Sequence, residues 1–234
     1  MARRRWIADE VNGDRAALTG AHAAHLSKVL RAVIGQEFDI ATGSEVRRAR
    51  VSQVDHDRVE FELGVVVESA GLREISVALA VFKFDRFEWA IEKCTELGVS
   101  RIIPVVTRRT DPHLAAAAEK RVERWRRIVR EASEQSRRNA VPEIAAPLKL
   151  KQYLQQEQTV ARVVLAETER EIQLRDLVAG EDPLVLAIGP EGGWAEDELR
   201  MFGDAGWQQA SLGETILRAE TAAIAALAVA RSAS

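Results

Sequence analysis

Two glycine-bearing segments late in the chain combine residue types suited to holding a ligand. The first is Gly189-Pro190-Glu191-Gly192-Gly193-Trp194. The second is Leu212-Gly213-Glu214-Thr215-Ile216-Leu217-Arg218-Ala219-Glu220-Thr221-Ala222. Glycine lets backbone amides and carbonyls approach a ligand with no Cβ in the way. Neither segment is a G-x-G-x-x-G fingerprint, and no Gly-Lys-Ser/Thr follows, so a Walker loop is excluded. A carboxylate inside the first segment, Glu191, disfavours phosphate and suits a cationic or hydroxyl-rich ligand. Each segment alone also reads as a tight turn, the second capped by Thr215. Two of them in one small domain favour a shared pocket. Arg218, Glu220 and Thr221 then offer polar side chains to it.

Two further constellations point to nucleic acid. Glu131–Asn139 places Glu134, Gln135, Ser136, Arg137, Arg138 and Asn139 just before Pro142, a set able to hold a nucleobase or phosphate. Earlier, His25, Lys28 and Arg31 recur at three-residue steps on a helical pattern. The pair Arg47-Arg48 and the run Arg3-Arg4-Arg5 extend that basic surface. A solvated helix face and a frayed terminus are the plain readings of these charges. The net charge of −3 excludes a wholly basic coat, but 11 Lys/Arg stand against 5 Asp/Glu between residues 101 and 138. Arginine accounts for 27 of the 33 basic residues, which suits phosphate forks and base stacking. Codon composition explains that excess equally well, though not its concentration in one segment.

Cys94 is the single cysteine, so a disulfide framework and a cysteine zinc site are excluded. His22, His25, His56 and His113 are not accompanied by a carboxylate or cysteine cluster, and no metal is expected. The start of the chain turns acidic within ten residues, unlike a signal peptide, and no run of eighteen apolar residues occurs. A soluble, cytoplasmic protein is expected.

The elements that must position these residues fall into two patterns. Over 1–70, short strands at 5–8, 37–41, 46–54 and 59–67 alternate with turn signals, and one helix spans 19–32, giving a small β-barrel-like unit. From 71 to 234, strands and helices alternate, which implies an α/β domain with a mostly parallel sheet. Strands are expected at 75–82, 101–107, 162–167, 184–189 and 209–212. Helices are expected at 85–97, 114–138, 195–205 and 216–231. Asp85 is the expected N-cap of the first of these helices, with Glu88 completing a capping box. Cys94, Trp89, Trp125 and Trp207 are read as core.

Taken together, HLSKVLR, FKFDRFEWAIEKCTELGVSRIIPVVTRR, KRVERWRRIVREASEQSRRNAVPEI, LAIGPEGGWAEDELRMF and SLGETILRAETAAIAAL resemble the RsmE family. These are the small-subunit ribosomal RNA methyltransferases that act on N3 of a uridine. The resemblance runs in order over nearly the whole chain, with 168–175 the hardest stretch to align.

It implies an α/β fold: a SPOUT-type, trefoil-knotted parallel-sheet methyltransferase domain over 71–234, preceded by a PUA-like RNA-binding β-barrel over 1–70. It also implies S-adenosylmethionine as cofactor, a homodimer, and small-subunit ribosomal RNA or the 30S subunit as partner. The cofactor would lie among Leu165, Ala166, Glu167, Ile188, Gly189, Pro190, Glu191, Gly192, Gly193, Ser211, Leu212, Gly213, Ile216, Leu217 and Thr221. Arg218 is the candidate clamp for a uridinate anion, and Glu220 and Glu191 are candidate bases. RNA would be held by Arg3, Arg4, Arg5, His25, Lys28, Arg31, Arg47, Arg48, Arg137, Arg138 and Asn139. The competing readings are another SPOUT enzyme acting on transfer RNA or a ribose hydroxyl, and a non-catalytic ribosome-assembly factor.

Overall fold

The computed structural model of the chain describes residues 5–69, 73–159 and 161–233, so Arg3 and Arg4 lie outside the described residues. The chain divides into two compact units. One holds the described residues up to 69 together with Ser133–Val141; the other holds 73–132 and Pro142 onward.

The first unit contains β1 (Arg5–Ile7), β2 (Glu10–Asn12), β3 (Arg15–Thr19), α1 (Gly20–Ala24), β4 (Glu37–Ala41), β5 (Glu45–Val54) and β6 (Arg58–Ser69). They form one sheet in the order β1-β4-β5-β6-β3-β2, antiparallel except where β1 runs beside β4. The β2–β3 hairpin was not foreseen; it turns on Gly13 at φ +58. Three register shifts between β5 and β6 bend the long pair. Trp6, Leu18, Leu26, Phe38, Ile40, Val51 and Phe61 fill the core.

The expected helix over 19–32 is shorter and changes character. It passes from α1 into one π-helical turn, His25–Val29, closed by Leu30 N–H donating to His25 O. Arg31 then adopts a left-handed φ of 51°. His25, Lys28 and Arg31 therefore do not share one helical face, because the wider turn and the left-handed residue break the 3.6 spacing. The extra residue in the turn accompanies the full burial of Leu26.

The segment Ser133–Val141, which the sequence places in the later domain, is anchored in the first unit at four points. Gly43 N–H donates to Asn139 O at 3.0 Å. Arg5 Nη1 donates to Arg137 O at 2.8 Å and to Asn139 Oδ1 at 3.1 Å. Val141 packs on Ile7, Ala41 and Val46. His22 lies between two carboxylates, with Asp9 Oδ2 at 3.4 Å and Glu134 Oε1 at 2.8 Å.

The second unit contains β7 (Ile75–Ala80), α2 (Phe84–Glu96), β8 (Arg101–Val106), α3 (Pro112–Ala118), α4 (Val122–Gln135, whose end belongs to the first unit), β9 (Glu143–Ile144), β10 (Leu148–Lys149) and α5 (Leu150–Gln156). There follow β11 (Ala161–Leu165), α6 (Leu174–Leu177), β12 (Leu184–Ile188), α7 (Glu196–Asp204), β13 (Gln208–Ala210) and α8 (Ala219–Ser232). Every pairing in its seven-stranded sheet is parallel, in the order β10-β8-β7-β12-β11-β13, with β9 beside the start of β8. The parallel α/β reading of the sequence thus holds. All five residues of β12 are buried, as a central strand covered on both faces requires. Helix α8 packs against α2 and over β7 and β12.

Several local expectations need correction. The helix expected at 114–138 is α3 and α4 joined by a tighter turn at Glu119–Arg121, and it ends at Gln135. Asp111 caps α3 by accepting from His113 N–H at 2.7 Å. Helix α2 starts one residue early, with Lys83 at its N-cap, so Asp85 is not the cap. Glu88 does not close a capping box; it accepts from Arg124 Nε at 2.8 Å and Arg121 Nη1 at 3.4 Å. Trp89 is 47% exposed, on the outer side of α2, whereas Trp125, Trp207 and Cys94 are buried as expected. Burial pushes the Cys94 thiol up to about 12, which keeps it an inert core group. Among the described residues no helix is long and apolar enough to cross a membrane, and no group of three metal-ligating side chains occurs.

Candidate active site

Strands β12, β11 and β13 are direct neighbours and run the same way, so their carboxyl ends open on one side. Ligands in open parallel sheets bind outside such ends. Three loops leave them: 166–173 after β11, 189–195 after β12 and 211–218 after β13.

The middle loop is a tight turn, closed by Gly193 N–H donating to Pro190 O at 2.8 Å. Gly193 has φ +70, a conformation that a side chain makes costly. The indole of Trp194 folds back over Gly189 and its Nε1 donates to Leu165 O at 3.0 Å, which ties the middle loop to the first. The outer two loops are joined in turn. Ser211 N–H donates to Ile172 O at 2.9 Å, and Leu174 N–H donates to Ser211 O at 2.9 Å. Within the first loop, the backbone amides of Ile172 and Glu171 hold the Glu169 carboxyl below the usual carboxylate range.

The loop after β8 also reaches the middle turn. Arg109 Nη1 donates to Gly192 O. Beside it, the buried Glu198 carboxylate accepts Arg108 N–H at 2.7 Å and Ala195 N–H at 2.9 Å, which caps α7 and fixes the Arg108 backbone to it. Arg108 Nη1 adds a 2.6 Å contact to Asp197 Oδ2 and holds that carboxyl low.

Together these loops enclose a cavity of about 590 Å³. Its wall includes Leu165, Ala166, Glu167, Ile188, Gly189, Pro190, Gly192, Gly193, Ser211, Leu212, Gly213, Ile216 and Leu217, all expected from the sequence. Glu191 and Thr221 are not on the wall. Arg218 and Glu220 are also off it. The reason is that α8 begins at Ala219, three residues later than expected, with Arg218 as its extended N-cap. Arg218 and Thr221 are exposed, and Glu220 is buried, its Oε2 without a hydrogen-bond partner among the described residues. Glu191 accepts from Arg86 Nη1 at 3.0 Å, and Arg86 Nε lies 3.9 Å from Glu220 Oε1.

Sequence reasoning missed Arg109, Arg170, Trp194 and Glu196 on the wall, and Arg86 beside it. Trp194 carried a signal, since it directly follows the glycine turn. Arg109 and Arg86 lie in the family-resembling stretch at 82–109 but carry no site role there, because it is strand order that brings β8 and α2 near that turn.

The candidate RNA-binding residues that are described lie in the first unit. Arg47 donates to Asp14 Oδ1 and Gly64 O, both at 2.8 Å, and to Leu63 O at 3.2 Å. Arg48 Nε donates to Asp39 Oδ1 at 2.9 Å. Lys28 and Arg31 are exposed, while His25 is half-buried with its ring 5.8 Å from that of Trp6. Arg5, Arg137 and Asn139 are joined to one another as described above, and Arg138 N–H donates to Ser133 O at 2.9 Å.

The RNA methyltransferase domain family model matches residues 69–231. The ribosomal RNA small subunit methyltransferase E of Synechocystis is 36% identical over 217 residues, covering 90% of this chain and 71% of that protein. The chain belongs to the ribosomal RNA small subunit methyltransferase E family. The Bacillus subtilis member is 31% identical, over 90% of this chain and 87% of its own. Among solved structures, the family member from Neisseria gonorrhoeae bound to S-adenosyl methionine superposes with a TM-score of 0.84 at 29% identity, over 99% of this chain and 98% of that one. A Legionella pneumophila protein in complex with the bound cofactor SAM gives a TM-score of 0.81 at 30% identity, over 100% and 98%.

Proposed function

We propose that the protein transfers the methyl group of S-adenosylmethionine to N3 of a uridine in small-subunit ribosomal RNA. The observation that carries this reading is a cavity formed jointly by the loops of three adjacent parallel strands, in a family with cofactor-bound members.

The residues present fit the cofactor. A cavity of about 590 Å³ falls in the range of roughly 300–1,000 Å³ of small-molecule sites. Leu165, Ile188, Leu212 and Leu217 suit an adenine ring, and Glu167, Glu196 and Glu214 suit a cationic sulfonium or ammonium. A Cβ built on Gly213 meets no protein atom within 4 Å, so its backbone stands open to a ligand. The bound cofactor supplies an electrophilic methyl carbon. The loops after β11, β12 and β13 would hold the cofactor and shield it from water, and in-line approach of the acceptor nitrogen would then allow transfer. Arg218, exposed at the start of α8, stabilises the uridinate charge. Glu220 is the better of the two candidate bases. Its Oε2 has no hydrogen-bond partner among the described residues, whereas Glu191 is taken up by Arg86.

The first unit acts as the PUA-like RNA-binding barrel and the second as the knotted SPOUT domain. The working form is a cytoplasmic homodimer acting on small-subunit RNA or the 30S subunit. The target base must leave its stack before it can react. The deciding experiment is mass mapping of methylated uridine in small-subunit RNA from a deletion strain, with and without the restored gene. A missing methyl group at one uridine N3 that returns with the gene supports the reading. An unchanged map refutes it, and methyl loss from transfer RNA instead favours a different SPOUT enzyme.

A further inference from the structure

Arg86 lies in the family-resembling stretch at 82–109 and is not among the site residues expected from the sequence, yet it stands where three elements meet. It occupies the first turn of α2. Its Nη1 donates to Glu191 Oε1 of the glycine turn at 3.0 Å, and its Nε lies 3.9 Å from Glu220 Oε1 in the first turn of α8. Glu220 is 5% exposed and, among the described residues, no other cation is paired with it. A buried carboxylate is costly without a countercharge, and Arg86 supplies the cation nearest to Glu220 among the described residues. Glu191, by contrast, is a surface group whose contact with Arg86 matters through geometry. It fastens the turn carrying Pro190, Gly192 and Gly193 to the first turn of α2, whose Arg86 also faces Glu220 at the start of α8.

We propose that Arg86 is a positioning residue for methyl transfer: held between Glu191 and Glu220, it fixes the glycine turn to the start of α8, and so sets the spacing of two walls of the cofactor cavity. Arginine suits this task because its planar guanidinium donates to Glu191 through Nη1 while Nε faces the Glu220 carboxylate at 3.9 Å, an arrangement that a lysine ammonium does not hold with fixed geometry. The inference rests on the proposed reading of the cavity as the S-adenosylmethionine site.

The test uses the full-length wild-type protein with Arg86→Ala, Arg86→Lys, Glu191→Gln and the Arg86→Ala/Glu191→Gln double variant. Two readouts are taken: affinity for S-adenosylmethionine and its demethylated product by calorimetry, and single-turnover methyl transfer to small-subunit RNA at saturating cofactor. Circular dichroism and thermal melting identify variants that fail to fold. Arg86→Ala should weaken cofactor binding about three- to tenfold, as expected for a half-exposed ion pair. It should slow transfer more than it weakens binding, about ten- to a hundredfold, because small misplacements act on the reacting geometry. Arg86→Lys should recover part of both. The double variant should bind no more weakly than Arg86→Ala alone, since both changes remove one contact.

A folded Arg86→Ala protein with wild-type affinity and rate overturns the proposal. So do strictly additive effects in the double variant. If Arg86→Ala does not fold, the Arg86→Lys and Glu191→Gln proteins carry the test, and wild-type behaviour in both overturns it. Failure of the wild-type protein itself to bind either compound overturns the cofactor reading and this inference with it, an outcome distinct from failure confined to the variants.

Discussion

Gly189→Ala tests how tightly the cavity is built. The backbone at Gly189 lies outside the left-handed region, so alanine imposes no dihedral penalty there, and the effect is one of space. A Cβ at this position would stand 3.1 Å from Trp194 Nε1 and 3.3 Å from Cδ1 and Cε2. The indole has little freedom to retreat. It is 7% exposed, packs on Phe202 at a centroid distance of 4.8 Å, and donates to Leu165 O. Inserting a methyl group into such a contact costs roughly 1–3 kcal/mol, and a strained indole–carbonyl bond of about 1 kcal/mol falls within that range. A net loss of about 2 kcal/mol lowers the melting temperature by roughly 4–8 °C for a chain of this size. Because Gly189, Leu165 and Trp194 all face the cavity, S-adenosylmethionine affinity measured by calorimetry should fall together with stability. Adding Trp194→Phe, whose smaller ring clears the new methyl group, should restore part of the melting temperature. Wild-type melting and affinity in Gly189→Ala would show that the indole is not wedged over the turn, and the account of how two loops are joined would fail.

Arg218→Ala should leave cofactor affinity near wild type and cut methyl transfer by about 10²–10³, the usual loss for a group that stabilises developing charge; undiminished transfer by the folded variant ends that assignment. Glu198→Ala removes the acceptor shared by Arg108 and Ala195 N–H groups and should cost about 1–3 kcal/mol in urea unfolding, with a stability equal to wild type contradicting it. The Asp9 carboxylate first, and Glu134 second, raise the His22 imidazole from its ordinary 6.5 to about 9. A raised value means that protonated His22 stabilises the fold, fully below about pH 6.5 and progressively less as pH climbs through about 9. The partly exposed setting reduces the difference to about 2 kcal/mol, measurable as wild-type minus His22→Ala unfolding free energy at pH 6 and pH 9.5; equal differences at the two pH values would refute it.

How much of this was legible in the sequence follows from the range over which each residue acts. Strand β12 was readable because five consecutive apolar residues between turn signals fit only a strand covered on both faces. The glycine turn after it was readable for the same local reason, and so were most residues of the cavity wall. Boundaries failed where a local rule met a long-range partner. Glu88 has the spacing of a capping box but serves Arg121 and Arg124 instead. Leu26 is buried by a π-helical turn that no 3.6-residue pattern predicts. Segment 133–141 reads as the tail of a basic helix, yet His22, Arg5 and Gly43, more than ninety residues away, hold it in the first unit.

Residues whose task is to touch a distant loop leave no periodicity at all. Arg86 meets Glu191 across 105 positions and Arg109 meets Gly192 across 83, because the strand order β8-β7-β12 sets β12 beside β7. Local chemistry in the chain therefore marked the turns that line the cavity, whereas the residues that hold those turns in place are chosen by topology. Mutational effects on transfer rate should accordingly extend beyond the glycine motifs, to cations on elements that precede them in the chain by about a hundred residues.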